Sequence, residues 1–368
     1  MKILYITNVP SPYRVDYFNE LGKHCDLTVL FEKNTSAERD DSWLNYRFKN
    51  FKGIFLNGWS YKVDSAICFD VISHLKHNKY DHIVCTDFAL PTGMMAITYM
   101  RSKKIGYYLE SDGGFPKNNN GLKEKVKKHY IKGAKGYFST GTMHDSYYIH
   151  YGANPEKIYR YPFTSLKNED ILTDVPTYEE KVKLRKELSM TEKGIVLYVG
   201  RIIHGKGIDT LISAAKELPA DTGVYLVGGE PTEYYTQQIE KQGVTNIHFV
   251  GFTLKEELKK YYKAADVFVL PTKKDVWGLV INEAMSMGLP VVTTDKCIAG
   301  LELVENGKNG YIVPVDDVNV LSQRIKEILT DEQITGIGKS SLEKIRNYTI
   351  EEMAHVHFKI FKEFYADE

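Results

Sequence analysis

The sequence predicts an α/β protein built from two doubly wound, Rossmann-like domains, and three observations carry that expectation. Short apolar runs alternate with amphipathic stretches along the first half of the chain. The same alternation restarts near residue 194 and runs a second course. The length of 368 residues suits two domains of ordinary size.

In the first series, "KILYIT" (2–7), "DLTVLF" (26–31), "HIVCT" (82–86), "IGYYLE" (105–110) and "GYFST" (136–140) read as buried strands. Tyr13–His24 and Val63–Asn78 read as amphipathic helices between them. The second series comprises "GIVLYVGR" (194–201), "GVYLVGG" (223–229), "NIHFVGF" (246–252), "DVFVLPT" (266–272), "PVVTT" (290–294) and "GYIVP" (310–314). The polar stretch Ser165–Lys193 separates the two. This predicts a first domain over 1–168, a second over 169–348, and an amphipathic C-terminal helix over 349–368 that packs back on the first. Sheets of this kind bind ligands outside the carboxyl ends of their strands, so the expected site is the cleft between the domains.

Composition narrows the class. Hydrophobic residues make up 43% and charged residues 26%, as in soluble globular proteins. The net charge of zero hides an asymmetry: residues 1–172 carry 24 Lys and Arg against 18 Asp and Glu, leaving 24 against 30 for the remainder. A basic first half and an acidic second half predict different partners for the two. An acidic second half without a recognition motif argues against nucleic acid. Cys25, Cys68, Cys85 and Cys297 form no CxxC pair, which argues against a metal site or disulfide framework and fits a reducing cytoplasm. The N-terminus reads as a first strand rather than a signal peptide, and no run approaches the roughly 20 apolar residues of a spanning helix. Any membrane contact is therefore expected to be peripheral.

The chemistry concentrates in the second series. In "LYVGRIIHGKGIDTLISA" (197–214) a strand ends at Gly200, Arg201 follows, and Lys206 precedes a helix. Two cations beside a helix N-terminus form an anion site suited to a diphosphate; a solvated basic loop is the alternative reading. "VYLVGGEP" (224–231) ends another strand in Gly228 and Gly229, which allow close backbone approach to a ligand. In "TKKDVWGLVINEAMSMGLPVV" (272–292), Asp275 lies in a loop before a helix closed by Gly288 and Pro290. Gly278 and Leu279 sit at that helix's N-terminus, where free N–H groups can hold a phosphate. Glu283, one turn inside, shares a face with Leu279 and Met287. A carboxylate on an apolar stripe is costly without partners, and ribose hydroxyls are suitable ones; a salt bridge or cap is the alternative.

Together "VGRIIHGKGIDTLISA", "LVGGEP", "IHFVGF", "YKAADVFVLPT", "WGLVINEAMSMGLPVV" and "ELVENGKNGYIVP" make this sequence resemble the retaining glycosyltransferase family 4, of the GT-B fold with two Rossmann-like domains facing a central cleft. The resemblance covers most of the second domain and is looser in the first. It implies transfer of a sugar from a nucleoside diphosphate donor with retention, of hexosyl or N-acetylhexosaminyl type, without a metal or other cofactor. It places Arg201 and Lys206 on the diphosphate, Glu283 on the ribose, backbone around Phe252 on the base, and Gly229, Gly278 and Leu279 in the donor pocket. The family's E-x7-E appears here as D-x7-E, with Asp275 at the acid that meets the donor sugar. The shorter side chain puts an identical role in doubt.

The first domain departs further. Pro10, Ser11 and Pro12 stand where the family often has two glycines, and Arg14 opens the following helix, facing either the phosphates or solvent. The family's His near the reacting carbon has no counterpart in "YYLESDGGF" (107–115). Glu110, Ser111 and Asp112 are its polar candidates; Asp112 is preferred for acceptor or donor-sugar hydroxyls, and Asp87 is a further one. A turn Asp bonding its own backbone is the alternative for Asp112. His144 reads as structural. Residues 115–138 hold seven Lys and one Glu, interleaved with Leu122, Val126, Tyr130 and Ile131. This basic amphipathic pattern over 117–135 suits an anionic membrane surface; a solvated helix face is the alternative. The expected function is synthesis of a bacterial capsule or lipopolysaccharide glycan on a polyprenyl-linked acceptor, at the cytoplasmic face of the plasma membrane. A nucleotide-sugar epimerase and a non-catalytic nucleotide-sugar or lipid-binding partner are the alternatives.

Overall fold

The computed structural model describes residues 1–34, 47–117 and 121–366. Two compact units emerge, one of residues 1–165 with 348–368 and the other of residues 166–347.

The first unit carries β1 (Lys2–Thr7), α1 (Pro12–Leu21), β2 (Asp26–Phe31), β3 (Lys52–Phe55), β4 (Trp59–Lys62), β5 (Ser65–Ile67), α2 (Val71–His77), β6 (His82–Cys85), α3 (Pro91–Ser102), β7 (Tyr108–Glu110), α4 (Leu122–Ile131), β8 (Gly136–Ser139), α5 (Thr142–His150) and β9 (Ile158–Arg160). Its parallel sheet has the order β3-β2-β1-β6-β7-β8-β9. In β1 and β2 only the first residue is exposed, as expected of strands covered on both faces. Pro12 sits in the first turn of α1, where its missing N–H costs nothing.

The second unit carries α6 (Tyr178–Glu187), β10 (Gly194–Val199), α7 (Ile208–Ala215), β11 (Thr222–Val227), α8 (Glu233–Gln242), β12 (Ile247–Val250), α9 (Lys255–Ala264), β13 (Val267–Leu270), α10 (Leu279–Ser286), β14 (Val291–Thr294), α11 (Ile298–Leu303), β15 (Gly310–Val313), α12 (Val318–Thr330) and α13 (Ile334–Ile345). Its sheet order is β12-β11-β10-β13-β14-β15, all parallel. The order reverses between β10 and β13, and that is where sheets of this kind open a crevice for a ligand.

The chain then returns to the first unit as α14 (Ile350–Ala366). The His357 ring stacks on Phe138 at 4.6 Å, Phe364 stacks on Tyr108 at 4.5 Å, and Phe361 packs against His82 at 5.2 Å. These rings give α14 a buried aromatic seam.

Val63–Asn78 corrects the expected single helix. Ser65–Ile67 pairs with Trp59–Lys62 as an antiparallel hairpin, and the helix begins only at Val71. Tertiary groups claim the backbone that the helix would have used. The Ala66 N–H donates to Glu32 Oε2 at 2.8 Å, the Cys68 N–H donates to Thr92 Oγ1 at 3.0 Å, and Thr92 Oγ1 donates to Ala66 O at 2.8 Å.

Glu32 contributes a testable pH dependence. Burial pushes its carboxyl up to about 8, against a smaller lowering by the Ala66 N–H. The folded state therefore holds a proton that the unfolded chain releases near pH 4.5. The associated stability is complete below that value and is lost as pH rises through about 8. Glu32→Gln, which cannot ionise, should match the wild type near pH 4.5. At pH 8 it should be more stable by on the order of 2–4 kcal/mol in urea denaturation. Parallel curves for the two proteins would show that Glu32 carries no such penalty.

Candidate functional site

In the second unit the loops after β10 and β13 meet at the switch point. Gly207 caps α7 in the left-handed region (φ 73°), and a Cβ there would fall 1.9 Å from Pro271 O. Only glycine lets these two backbones approach so closely. The approach is fastened by Lys273 N–H to Gly205 O at 3.0 Å and by Thr272 Oγ1 to Gly205 O at 3.1 Å. Lys273 Nζ also reaches Asp316 Oδ1 at 2.7 Å, and Thr210 Oγ1 donates to the same oxygen at 3.0 Å.

That closure brings Lys206 and Asp275 together. Lys206 Nζ donates to Asp275 Oδ2 in a direct ion pair, with both side chains only partly exposed. The sequence reading assigned the two residues to different parts of a donor; the structure joins them to each other. Asp275 is further fixed by its own N–H, which donates to Lys296 O at 2.8 Å. Arg201 is exposed at the end of β10, its carbonyl accepting from Tyr198 OH at 2.9 Å.

Gly278 caps α10 at φ 101°, and a Cβ would lie 2.8 Å from Cys297 Sγ. Trp277 is buried beside it and donates Nε1–H to Asn282 Oδ1 at 2.8 Å, which ties the loop to the helix it precedes. Leu279 begins that helix, half-buried. Glu283 lies one turn on, also half-buried, and Tyr262 OH donates to its Oε2 at 3.0 Å. Burial and the Glu283 carboxylate hold the Tyr262 phenol well above its ordinary range, so it remains a donor. Tyr262 supplies the polar partner that a carboxylate on this face requires. Gly229 ends the β11 loop at φ 159°, and Phe252 is exposed just beyond β12.

The first unit gathers a second cluster at the carboxyl end of β7. Arg14, buried in α1, donates Nη1–H to Glu110 Oε1 at 3.1 Å and Nη2–H to Asp112 Oδ1 at 2.6 Å. Tyr13 OH donates to Asp112 Oδ2 at 3.0 Å. The other Glu110 oxygen lies 3.5 Å from His357 Nε2 of α14. Burial pushes the Glu110 carboxyl up, but His357 and Arg14 outweigh it and hold the group below its usual range. Glu110 is completely buried, which makes it an internal counter-ion rather than a group presented to an acceptor. Arg14 is likewise committed to two carboxylates. Asp112 remains partly exposed, as does Asp87 at the end of β6. Thr86 Oγ1 donates to Asp87 Oδ2 at 3.0 Å, and burial pushes that carboxyl up to about 6.

His144 is buried and accepts from the Thr140 N–H through Nδ1 at 3.2 Å, so its Nε2–H points at Ser111 Oγ, 2.9 Å away. Burial lowers its pKa to about 3, which keeps it neutral. Among the described residues no three His, Cys, Asp or Glu side chains gather as a metal site, and no helix is long and apolar enough to cross a membrane.

The profile of the glycosyl transferases group 1 family matches residues 180–352, which span this loop-and-helix arrangement from β10 to β15. Residues 180–352 are similar to the group 1 glycosyl transferases. An uncharacterized glycosyltransferase of Methanocaldococcus jannaschii is 31% identical over 42% of this chain and 41% of its own length. An uncharacterized protein from the cps region of Klebsiella pneumoniae is 26% identical over 73% of this chain and 74% of its own. An N,N'-diacetylbacillosaminyl-diphospho-undecaprenol alpha-1,3-N-acetylgalactosaminyltransferase of Campylobacter jejuni is 24% identical over 50% of this chain and 48% of its own. The chain spans less than half the length of the first such relatives.

Solved structures match along the whole chain. Sucrose-phosphate synthase from Thermosynechococcus elongatus aligns with TM-score 0.78 at 20% identity, covering 100% of both chains. HepE from Anabaena, in complex with UDP and glucose, aligns with TM-score 0.76 at 19% identity, also covering 100% of both. The segment similar to the group 1 glycosyl transferases thus sits in a chain with the GT-B fold, two Rossmann-like units of parallel sheet and helices.

Proposed function

We propose that this chain is a retaining glycosyltransferase of family 4 that transfers a sugar from a nucleoside diphosphate donor to a glycan acceptor. The observation that carries the reading is the Lys206–Asp275 pair, held at the β10–β13 switch point beside the N-terminus of α10. A leaving diphosphate needs fixed positive charge as its bond to the sugar breaks. Lys206 and Arg201 supply cations, and the first N–H groups of α10 add dipole-directed donors near Gly278 and Leu279. These groups take the role a metal would play, so the reaction proceeds without one.

Asp275 has two tasks in this reading. It orients the Lys206 ammonium before the donor arrives, and it accepts from donor-sugar hydroxyls once Lys206 turns to the phosphate. Glu283, set by Tyr262, accepts from both ribose hydroxyls, and Gly229 and the backbone at Phe252 receive the base. In the first unit, Asp112 and Asp87 are the partly exposed carboxylates for acceptor hydroxyls, with Arg14 and Glu110 holding Asp112 in place. The acceptor class rests on the relatives: one is a capsular polysaccharide biosynthesis glycosyltransferase of Staphylococcus aureus, and another is named for an undecaprenyl diphosphate-linked glycan. A polyprenyl-linked capsule or lipopolysaccharide intermediate, met at the cytoplasmic face of a membrane by the basic stretch 117–135, follows from that. Residues 118–120 of the stretch lie outside the described residues.

The test is a transfer reaction with UDP-, GDP- and ADP-sugars and a polyprenyl-linked acceptor, followed by proton NMR. A new α-linked product from an α-configured donor is the expected result. A β-linked product overturns retention. Donor binding without consumption, over the whole set, assigns the chain instead to a non-catalytic nucleotide-sugar-binding role.

A further inference from the structure

An open apolar groove of about 700 Å³ lies in the first unit. Met94, Met95 and Tyr99 of α3 line it together with Ile72 of α2, Tyr61 of β4 and Tyr130 of α4. Thioether and aromatic surfaces of this kind adapt to an irregular hydrocarbon.

The rim has a chemistry of its own. The β4–β5 hairpin and its exit expose Trp59 (70%), Tyr61 (50%) and Phe69 (59%), and the Trp59 and Phe69 rings meet edge-on at 6.0 Å. Large aromatic rings so exposed are placed where one side is apolar and the other wet. On α4, Leu122, Val126 and Tyr130 recur at every fourth position and form a slanted stripe that ends in the groove. At roughly 100° per residue, Lys125 and Lys128 flank that stripe on one side and Lys123 on the other. Leu122 is 78% exposed at its start.

Further cations come from other segments. Lys103 and Lys104 are exposed just after Ser102, which lines the groove, and Lys33 Nζ donates to Val63 O of the hairpin at 3.0 Å. Two of the nearby acids, Glu124 and Asp70, are engaged within the unit, and Asp64 stands in the hairpin's own turn. Glu124 is buried with Tyr151 and Lys127, and Asp70 accepts from the Asn57 N–H at 2.8 Å. The face therefore joins an apolar trough and exposed aromatics to a positive border.

We infer that this face docks on an anionic phospholipid bilayer, with Trp59, Tyr61 and Phe69 entering the interface, the groove receiving a lipid hydrocarbon chain, and the flanking lysines meeting the headgroup phosphates. Charge complementarity selects this occupant: an apolar partner protein would leave the lysines unmatched, whereas an anionic leaflet offers hydrocarbon beneath a layer of phosphate. The inference deepens the membrane placement proposed above, but through the hairpin and groove rather than through the basic helix alone. It needs no donor, acceptor or turnover, so its failure leaves the donor-site reading intact.

The test uses the full chain and vesicles of phosphatidylcholine with about one third phosphatidylglycerol. Wild type should co-sediment with these at least about tenfold more strongly than with phosphatidylcholine alone. Bromination of the lipid chains should quench tryptophan fluorescence. The chain's third tryptophan, Trp43, is replaced by Phe throughout this experiment and Trp277 is buried, so Trp59→Phe on that background should bind with the quenching lost. Trp59→Ala combined with Phe69→Ala should weaken binding about tenfold while leaving the circular dichroism unchanged, because both rings are exposed. Absence of binding to anionic vesicles overturns the inference. So does binding in which Trp59 is not quenched and the double variant is unaffected, since lysines alone would then hold the protein. A vesicle-free dimer that the double variant dissolves gives the face to a second copy of the chain and overturns it as well.

Discussion

Glu283→Ala should sharply reduce the rise in melting temperature that a nucleoside diphosphate gives the wild type. A ligand that binds only the folded state raises stability by about 2.7 kcal/mol at one hundred times its dissociation constant. A half-buried carboxylate accepting from two hydroxyls supplies charge-assisted hydrogen bonds of about 1.5–3 kcal/mol, and its loss weakens binding by roughly ten- to a hundredfold. At fixed nucleotide concentration that removes from about half to more than four fifths of the shift. The variant should still fold, because Glu283 is only half-buried; the phenol of Tyr262 is one of the groups that loses it as a partner. Glu283→Gln keeps an acceptor for Tyr262 but loses the charge, and should fall between the two. The measurement is a thermal-shift titration with UDP, GDP, ADP, CMP and TDP on all three proteins. An undiminished shift in the alanine variant removes the ribose role from Glu283.

Lys206→Met should reduce turnover by about a hundred- to a thousandfold, with a smaller effect on donor affinity. The reason is that charge develops on the diphosphate only as the sugar departs, so the ammonium is worth more in the transition state than in the bound donor. Arg201→Ala should act in the same direction. Because Lys206 also pairs with Asp275, its removal leaves a partly buried carboxylate unmatched and costs stability as well. Asp275→Asn separates the two effects, since it frees Lys206 while keeping the side chain's size. If Lys206→Met lowers stability in urea but leaves kcat within about threefold of wild type, the pair is structural and the catalytic assignment fails.

Much of the second unit was legible because its signals are local. Each buried strand appears as an apolar run, and Arg201, Lys206, Asp275 and Glu283 each stand at a fixed offset from a strand end or a helix start. The contacts that give those residues their chemistry are not local. Lys206 and Asp275 are 69 residues apart, and Tyr262 and Glu283 are 21 apart; sheet order, not sequence spacing, brings them together. In the first unit Arg14 lies 96 residues from Glu110 and 98 from Asp112, so neither pairing left a trace in any motif. The edge strands β3 and β9 escaped notice for a different reason. They are short and half exposed, and their polar ends, Lys52 and Arg160, break the apolar run that marks a buried strand. The hairpin before α2 was hidden because its extended form depends on Glu32 and Thr92, which no local propensity reports.

The return of α14 to the first unit sets the order of events on the ribosome. Residues 166–347 form one uninterrupted stretch and can complete their fold as soon as they emerge. The earlier unit cannot. Until His357, Phe361 and Phe364 arrive, Tyr108, Phe138 and His82 face water without their seam, and Glu110 lacks the imidazole beside its second oxygen. The first unit to be synthesised is therefore the last to be finished, and for the interval in between it is a substrate for chaperones and proteases.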